Sequence, residues 1–250
     1  MDTASKDVLF TIAMNLELPS LLRWCQSSSR FRKHVCNNDD VWKRKLLMDY
    51  PDYEKFNLNR SLKETYVFMY QLSYIKSLLQ SEESLYDIFL KKKINLNRKE
   101  LKRIPSFDLP NLDTLELSYN KLTEVPQFSL PNLRYLYLDN NELTKIPKFS
   151  LPKLEKLDLH KNQLDQVPLF DFPQLISLDI SYNKLKEIPI FNLPNLQTIS
   201  LDHNYLTKVP VFHLSNLKYV SVVDNNLDKK EKDRLRAKTG YGNVIYLRLN

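Results

Sequence analysis

Residues 112–122 read Leu112-Asp113-Thr114-Leu115-Glu116-Leu117-Ser118-Tyr119-Asn120-Lys121-Leu122, and this stretch decides the fold. The frame Leu-x-x-Leu-x-Leu-x-x-Asn-x-Leu returns every 21 residues, with conservative replacements in a few Leu slots. The Asn slot keeps its register in six copies, which hold Asn120, Asn141, Asn162, Asn183, Asn204 and Asn225. Self-similarity at a fixed short period indicates a solenoid, in which each repeat stacks on its neighbours.

This frame resembles the leucine-rich repeat. The Leu-x-Leu core of each copy is expected to form a short parallel strand with its Leu side chains inward, so that the strands build a concave β-sheet. Each Asn follows at the turn, where its amide can both donate and accept hydrogen bonds. Stacked Asn side chains can therefore satisfy buried backbone groups in a chain that has only two glycines.

Two proline columns recur within each period, for example at Pro126 and Pro131. Because proline lacks an N–H group and clashes with the preceding helical turn, we expect extended or polyproline-like backbone on the convex side. A phenylalanine column from Phe107 to Phe212 is expected to stack inside the solenoid. An atypical first copy of the repeat begins at Ile94.

The N-terminal segment carries apolar residues at helical spacing. Leu9, Ile12 and Leu16 form one stripe, Pro19 opens a second apolar segment, and a third helix is expected around Phe31. Three short helices bury too little surface to be stable alone. We therefore expect this module to pack against a neighbouring segment or a partner.

Residues 5–50 resemble the F-box. The counterparts of that family's pattern are Asp7, Val8, Leu9, Ile12, Leu16, Leu21, Leu22, Phe31 after Arg30, and Val41-Trp42. There are two departures from the pattern: Ala4-Ser5 replaces the opening Leu-Pro, and Ser27 stands where the family has an apolar residue. The degenerate opening is similar to that of F-box proteins encoded by large DNA viruses.

The F-box resemblance implies a partner. An F-box presents apolar helix faces to the Skp-type adaptor subunit of a cullin–RING ubiquitin ligase. The residues that would form this docking patch are Val8, Leu9, Ile12, Leu16, Pro19, Leu21 and Leu22. The alternative is that these side chains only close the core of the helical module.

The predicted fold class is α+β, with four segments along the chain. These are an F-box-like three-helix domain at 1–52, a helical connector and N-terminal cap at 53–93, a leucine-rich-repeat solenoid at 94–227, and a C-terminal helix with a capping strand at 228–250. Ser61 followed three residues later by Glu64 forms a capping box that starts the connector helix. Since no Gly/Ser linker separates the modules, we expect a rigid connection.

The C-terminal segment is basic. Residues 229–250 hold seven Lys or Arg residues and two acidic residues, in a chain of net charge +7. We expect a helix from the N-cap Asp228 to about Lys238, a turn at residues 239–242 and a final strand from Val244. A solvated helix face accounts for this charge, and nucleic-acid binding is the alternative.

Composition indicates an ordinary globular protein, with 42% hydrophobic and 27% charged residues in 250. No apolar run is long enough to span a membrane, and the N-terminus does not read as a signal peptide. Cys25 and Cys36 are too few for a disulfide framework and are interpreted as reduced thiols. We therefore expect an intracellular location, in the cytoplasm, with the nucleus possible.

The residues needed for catalysis are not arranged in the sequence. Two glycines cannot make a phosphate-binding loop, and the chain has no Cys-x-x-Cys pair. The four His residues show no zinc-ligand spacing, and no Gly-x-Ser-x-Gly motif occurs. We therefore expect no enzymatic activity, cofactor or metal.

The outward slots of the predicted strands vary between repeats and are the candidate binding surface, because solenoids use their concave face. These candidates are Glu116, Tyr135, Tyr137, Asp139, Asp158, His160, Asp179, Tyr182, Asp202 and Tyr219. Asp158 and Asp179 should be neighbours, since adjacent strands lie about 4.8 Å apart. An acidic stripe with tyrosines favours a protein partner with a basic segment and repels phosphates. The alternative is a merely solvated polar face.

The main hypothesis is a substrate-recognition adaptor of an SCF-type ubiquitin ligase, in which the F-box docks Skp and the repeats capture a substrate. A second hypothesis is a protein-interaction scaffold in which the N-terminal helices serve only as a structural cap. A third is a nucleic-acid-associated protein that uses the basic C-terminal helix.

Overall fold

The computed structural model describes residues 4–106, 108–212, 214–237 and 246–249. The chain divides into two compact units, Met1–Phe89 and Leu90–Asn250. Helices form the first unit and parallel strands of leucine-rich-repeat type form the second, so the predicted α+β class is confirmed. The finer division of the chain into four segments stays a prediction.

The N-terminal helices are α1 Lys6–Asn15, α2 Leu18–Ser27, α3 Ser29–Phe31, α4 Asp39–Asp49, α5 Leu62–Leu79 and α6 Leu85–Leu90. A π-helical turn continues α3 over Arg32–Cys36, and a 3-10 turn at Tyr53–Phe56 precedes α5. Ser5 caps α1, since its side-chain oxygen accepts a hydrogen bond from Val8 N at 3.3 Å. The serine that departs from the F-box pattern thus has a structural role.

The core of the first unit is apolar and aromatic. Trp42 is fully buried, and its ring nitrogen donates to the Cys36 carbonyl at 3.0 Å. The ring of Tyr66 on α5 lies 5.7 Å from that of Trp42, and its hydroxyl donates to Asp49 of α4 at 2.5 Å. Burial, with this carboxylate, raises the pKa of Tyr66, so the hydroxyl keeps the proton that it donates.

The prediction that Cys25 and Cys36 are reduced thiols is wrong for this structure, where the two residues form a disulfide. The π-helical turn packs beside α2, which brings the two Cα atoms to 5.9 Å, a separation that a disulfide spans. Both side chains are buried. The cysteines therefore no longer support an intracellular location.

The predicted capping box of α5 is confirmed. The Ser61 side chain accepts from Glu64 N at 3.3 Å, and the Glu64 carboxylate accepts from Ser61 N at 3.0 Å. This hydrogen bonding lowers the pKa of Glu64. The reciprocal bonds satisfy backbone donors that a helix start leaves free.

The second unit is one parallel sheet whose strands follow chain order. The strands are β1 Lys93–Asn95, β2 Thr114–Glu116, β3 Tyr135–Tyr137, β4 Lys156–Asp158, β5 Ser177–Asp179, β6 Thr198–Ser200, β7 Tyr219–Ser221 and β8 Tyr246–Arg248. From β1 to β7 the register steps by one repeat, as in the pairing of Leu115 with Leu136. The middle residue of each of these strands is buried, and its neighbours are exposed or half-buried except for the buried Ser221 of β7, as the Leu-x-Leu pattern predicts.

The Asn slot ties consecutive repeats together, as predicted. The amide nitrogen of Asn141 donates to the carbonyls of Leu117 at 2.9 Å and Leu138 at 3.0 Å, and its oxygen accepts from Leu122 N at 3.1 Å. The residue before each Asn has a positive φ, for example 53° at Asn140. Non-glycine residues hold this left-handed turn because the Asn network satisfies the surrounding backbone.

The convex side has no helix between β1 and β7 in the part of the chain that the structure describes, as the proline columns predict. Phe128 stacks on Phe149 with ring centroids 5.7 Å apart, and Phe191 lies 5.3 Å from Phe170. These rings are buried. The first member of the column, Phe107, lies outside the described residues.

The C-terminal helix α7 spans Lys229–Arg236, with Asp228 as its N-cap, as predicted. Its Glu231 accepts from Val209 N at 2.9 Å, and Arg234 donates to the Val209 carbonyl at 2.6 Å. These two bonds fasten the helix to the last repeats. The final strand is confirmed as β8, whereas the expected helix end at Lys238, the turn at 239–242 and Val244 lie outside the described residues.

Candidate functional site

The outward side chains of β2 to β7 form one continuous face, and this is the candidate site. The strand register places Glu116, Tyr137, Asp158 and Asp179 in one row across four neighbouring strands. All ten residues predicted for this face lie on these strands or on the turns that follow them. They are exposed or half-buried, so the sheet presents them rather than packing them into its core.

Asp158 and Asp179 are neighbouring acidic side chains at the centre of this face. They are direct partners in the parallel register, as predicted from the repeat. The Asp158 side chain is 19% exposed. Burial first, and then the carboxylates of Asp179 and Asp139, raise the pKa of Asp158 to about 6, while a bond from His160 N opposes the shift. A cation bound here would relieve the repulsion.

Backbone and hydroxyl donors orient the carboxylates. Oδ1 of Asp179 accepts from Ser181 N at 3.0 Å, as Oδ1 of Asp158 does from His160 N at 3.2 Å. Asp202 accepts from Val223 N at 2.7 Å. These contacts hold each carboxylate at the edge of the strand face, and both oxygens of Asp202 also accept from the Ser221 hydroxyl, at 2.6 and 2.7 Å.

Cations that the sequence did not single out lie at the N-terminal end of the face. Lys93 Nζ lies 2.5 Å from Glu116, and Arg134 Nε donates to Glu155 at 2.7 Å. The Tyr135 hydroxyl donates to the same Glu155 at 3.2 Å. The Arg134 bond lowers the pKa of Glu155. Lys93 could have been found by extending the 21-residue frame to the atypical first copy, where it aligns with Thr114.

Aromatic rings line the far edge of the face. The Tyr182 ring stacks on His203, with centroids 3.9 Å apart, and meets the His160 ring edge-on at 4.9 Å. His160 Nδ1 also lies 2.9 Å from the Ser181 hydroxyl. Tyr182 remains 42% exposed. A partner can therefore contact a rigid aromatic edge beside the acidic row.

The predicted docking patch in the N-terminal helices is only partly exposed. Leu9 and Leu21 are buried in the helical core, where α1 packs on the π-helical turn and α4, and α2 packs on the same turn and α3, so neither side chain is open to a docking partner. Val8 is 49% exposed and Pro19 is exposed. Ile12, Leu16 and Leu22 are half-buried. The remaining five residues define the revised docking patch.

Metal binding and membrane insertion are two other classes of function on which the described residues bear. Within these residues no group of three or more His, Cys, Asp or Glu side chains is placed to hold a metal ion. No helix among them is both long and apolar enough to cross a bilayer.

Comparisons with known proteins match the repeats. Models of the leucine-rich-repeat family, described as "Leucine Rich repeats (2 copies)" and "Leucine Rich Repeat", match residues 131–171, 173–212 and 111–133. The chain therefore contains leucine-rich repeats, a fold typical of non-enzymatic protein-interaction scaffolds. No F-box model matches the N-terminal helices. No curated protein matches the sequence.

Solved structures with a similar fold include bacterial effector proteins. A Shigella effector leucine-rich-repeat domain is 22% identical with a TM-score of 0.50, covering 80% of this chain and 94% of that one. YopM from Yersinia enterocolitica WA-314 is 25% identical with a TM-score of 0.52, and YopM from Yersinia pestis is 26% identical with a TM-score of 0.51. They cover 62% and 74% of this chain, which spans 38% and 49% of the two YopM chains.

Proposed function

We propose that this protein is a substrate-recognition adaptor of an SCF-type ubiquitin ligase, in which the repeats capture a protein that carries a basic segment. The observation that carries the capture role is the adjacent pair Asp158 and Asp179 on the concave face. Burial first, and then the repulsion between two carboxylates in neighbouring strands, raise the pKa of Asp158. A lysine or arginine of the substrate would turn that repulsion into attraction.

The revised docking patch, Val8, Ile12, Leu16, Pro19 and Leu22, supports the second half of the proposal. An aliphatic side chain as exposed as Val8 gains free energy when a partner covers it. The patch lies on two helices whose inner faces are held by the buried Leu9 and Leu21. The core residues therefore support the patch without being part of it.

Co-purification with a Skp-type adaptor tests this function. Val8→Asp combined with Ile12→Asp should abolish a stable complex that the wild-type chain forms, because two charges enter an apolar interface. Leu47→Asp on α4 is the matched control, since Leu47 has the same 49% exposure as Val8 and lies outside the patch. Failure of the wild-type chain to bind the adaptor would reject the ligase role.

A protein-interaction scaffold is the second candidate function. Ser5 acts as the cap of α1, Leu9 and Leu21 close a core, and a disulfide joins Cys25 to Cys36. Each of these features stabilises the helical unit without any partner. Under this alternative the repeats bind their protein partner and no adaptor co-purifies.

The charges of α7 support a nucleic-acid role less well than the basic sequence of this segment suggested. Arg234 is bound to Glu231 at 2.6 Å and to a backbone carbonyl, and Arg236 lies 3.1 Å from Asp233. These acidic partners reduce the positive charge that α7 could offer to phosphates. Salt-dependent binding that disappears on deletion of residues 229–238 is the signature that would favour this role.

A further inference from the structure

The two ends of the concave face differ in how their acidic side chains are neutralised. At the N-terminal end, Glu116 pairs with Lys93 at 2.5 Å. Arg134 lies 2.7 Å from Glu155 and 3.5 Å from Asp113. Each acid at this end therefore already has a cationic partner from the chain itself.

Four aspartates further along the face are less fully paired with cations of the chain. We call Asp139, Asp158, Asp179 and Asp202 the open acidic row. In the described part of the chain, the single ion pair of this row is a long contact of 3.9 Å between Asp158 and Lys156. Their other contacts come from hydroxyl, amide and backbone N–H donors, which orient a carboxylate without cancelling its charge.

The tyrosines follow the same division. Arg98 lies over the ring of Tyr119 at 4.2 Å, and Lys156 lies over Tyr137 at 4.9 Å. Toward the C-terminal end, Tyr182 and Tyr205 are 42% and 51% exposed. No cation of the described residues covers either ring. The chain thus supplies its own cations to the rings at one end, whereas at the other end Tyr182 stacks on the His203 ring and still keeps 42% exposure.

We propose that an extended, arginine-bearing segment of the partner docks across the C-terminal half of the sheet, from the turn after β3 to β7. This inference rests on the capture role proposed above. It states where on the sheet the partner binds and which side chain of the partner is recognised. Charge complementarity selects a basic occupant, because Asp179 and Asp202 form no ion pair with the described residues and Asp158 has only the long contact with Lys156. Four strands span about 14 Å, which four or so extended residues cover.

Arginine fits this surface better than lysine. The planar guanidinium stacks on aromatic rings and forms paired bonds with a carboxylate, whereas the ammonium of lysine is a compact and strongly hydrated charge. Tyr182 supplies the exposed ring, and Asp179, on the strand that leads into the same turn, supplies the carboxylate. The pairs Arg98–Tyr119 and Arg134–Glu155 show both contacts within this chain.

Fluorescence anisotropy with the full chain tests the position. The probe is a short labelled peptide of alternating arginine and serine. The triple variant Asp158→Asn, Asp179→Asn, Asp202→Asn should weaken binding by about tenfold or more, because three attractive charges are lost. Asparagine keeps the oxygen that accepts the local backbone bonds, so the turns survive.

The matched control removes three charges that already have partners, through Asp113→Asn, Glu116→Gln and Glu155→Gln. It should change the affinity by less than about twofold, since those carboxylates interact with Lys93 and Arg134. An equal or larger loss in this control would overturn the proposed position. Circular dichroism of both variants confirms that the repeats stay folded.

The ligand chemistry is tested with a second peptide in which lysine replaces arginine. The wild-type chain should prefer the arginine peptide by about threefold to tenfold, and Tyr182→Asn should remove that preference. Asparagine suits this left-handed position, because Asn140 occupies the equivalent slot with a φ of 53°. Equal binding of both peptides, or no binding, overturns this inference, whereas loss of the adaptor complex bears only on the ligase role.

Discussion

Asn162 shows how one side chain joins two repeats. Its amide nitrogen donates to the carbonyl of Leu138 in the preceding repeat at 2.9 Å and to that of Leu159 in its own repeat at 3.1 Å. Its oxygen accepts from Leu143 N at 3.0 Å. Because the side chain is buried, water cannot replace these bonds if the amide is removed.

Asn162→Ala should therefore destabilise the repeat unit by about 3 kcal/mol, since buried backbone groups on both repeats lose their partners. The free energy of unfolding in urea measures the effect. Gln163→Ala, at the exposed next position, is the control and should change stability by less than about 0.5 kcal/mol. Equal effects of the two substitutions would contradict the structural role of the Asn slot.

Asp158 makes stability depend on pH. Its folded pKa of about 6 lies above the ordinary value of 3.8, so the folded state binds a proton more tightly than the unfolded state between these values. Stability therefore falls as pH rises through this window, and the cost is complete above about pH 6.

Asp158→Asn should accordingly stabilise the protein at pH 7.5 by about 1–2 kcal/mol, an advantage that shrinks as pH falls toward 4. Urea titrations at several pH values measure this difference. Asp165→Asn, at an exposed position, is the control and should show no such trend. A constant difference at all pH values would show that ionisation of Asp158 is not the cause.

At the scale of the element, helix α1 buries one residue and exposes the residue next to it. Leu9 is 1% exposed and Val8 is 49% exposed. Leu9→Ala should cost about 2–4 kcal/mol because it leaves a cavity in the core. Val8→Ala should cost less than about 0.5 kcal/mol. Denaturation of the full chain, followed by the fluorescence of Trp24 and Trp42, tests this pair, and similar costs would place both side chains in the core.

The disulfide between α2 and the π-helical turn is expected to stabilise the helical unit. Closing a loop of this length contributes about 3 kcal/mol by restricting the unfolded chain. Reduction of Cys25 and Cys36 should therefore lower the stability of the helical unit and leave the repeats unchanged. Alkylation of the native chain followed by mass spectrometry checks the pairing directly. Labelling of both thiols without a reductant would contradict it.

The strands and turns of the repeats were predictable because the 21-residue frame places the same residue types at the same positions in each copy. Leu115 was expected to face the core and Asn120 to hydrogen-bond the backbone of a turn. The same assignments apply to the equivalent residues of the other copies. Contacts that break the repeat were not predictable. The pairing of Cys25 with Cys36 depends on how two helical segments pack, and Lys93 belongs to a copy whose frame is degraded. Helical periodicity also could not decide that Leu9, rather than Ile12, is the fully buried member of the stripe.

At the scale of the whole molecule, the two units carry separate parts of the proposed function. The helical unit offers the revised docking patch, and the repeat unit offers the open acidic row. If the protein is an adaptor, substitutions in one surface should abolish binding of that surface's partner and leave binding at the other surface intact. Loss of one binding event with retention of the other is the behaviour that distinguishes an adaptor from a scaffold whose helices are only structural.

The most direct test is a three-component measurement with the full chain, a Skp-type adaptor and the arginine–serine peptide. Sedimentation with a labelled peptide should show one complex that contains all three. The variant Val8→Asp, Ile12→Asp should lose the adaptor and still bind the peptide. The triple variant Asp158→Asn, Asp179→Asn, Asp202→Asn should lose the peptide and still bind the adaptor. A wild-type chain that binds the peptide but never the adaptor would contradict the ligase role.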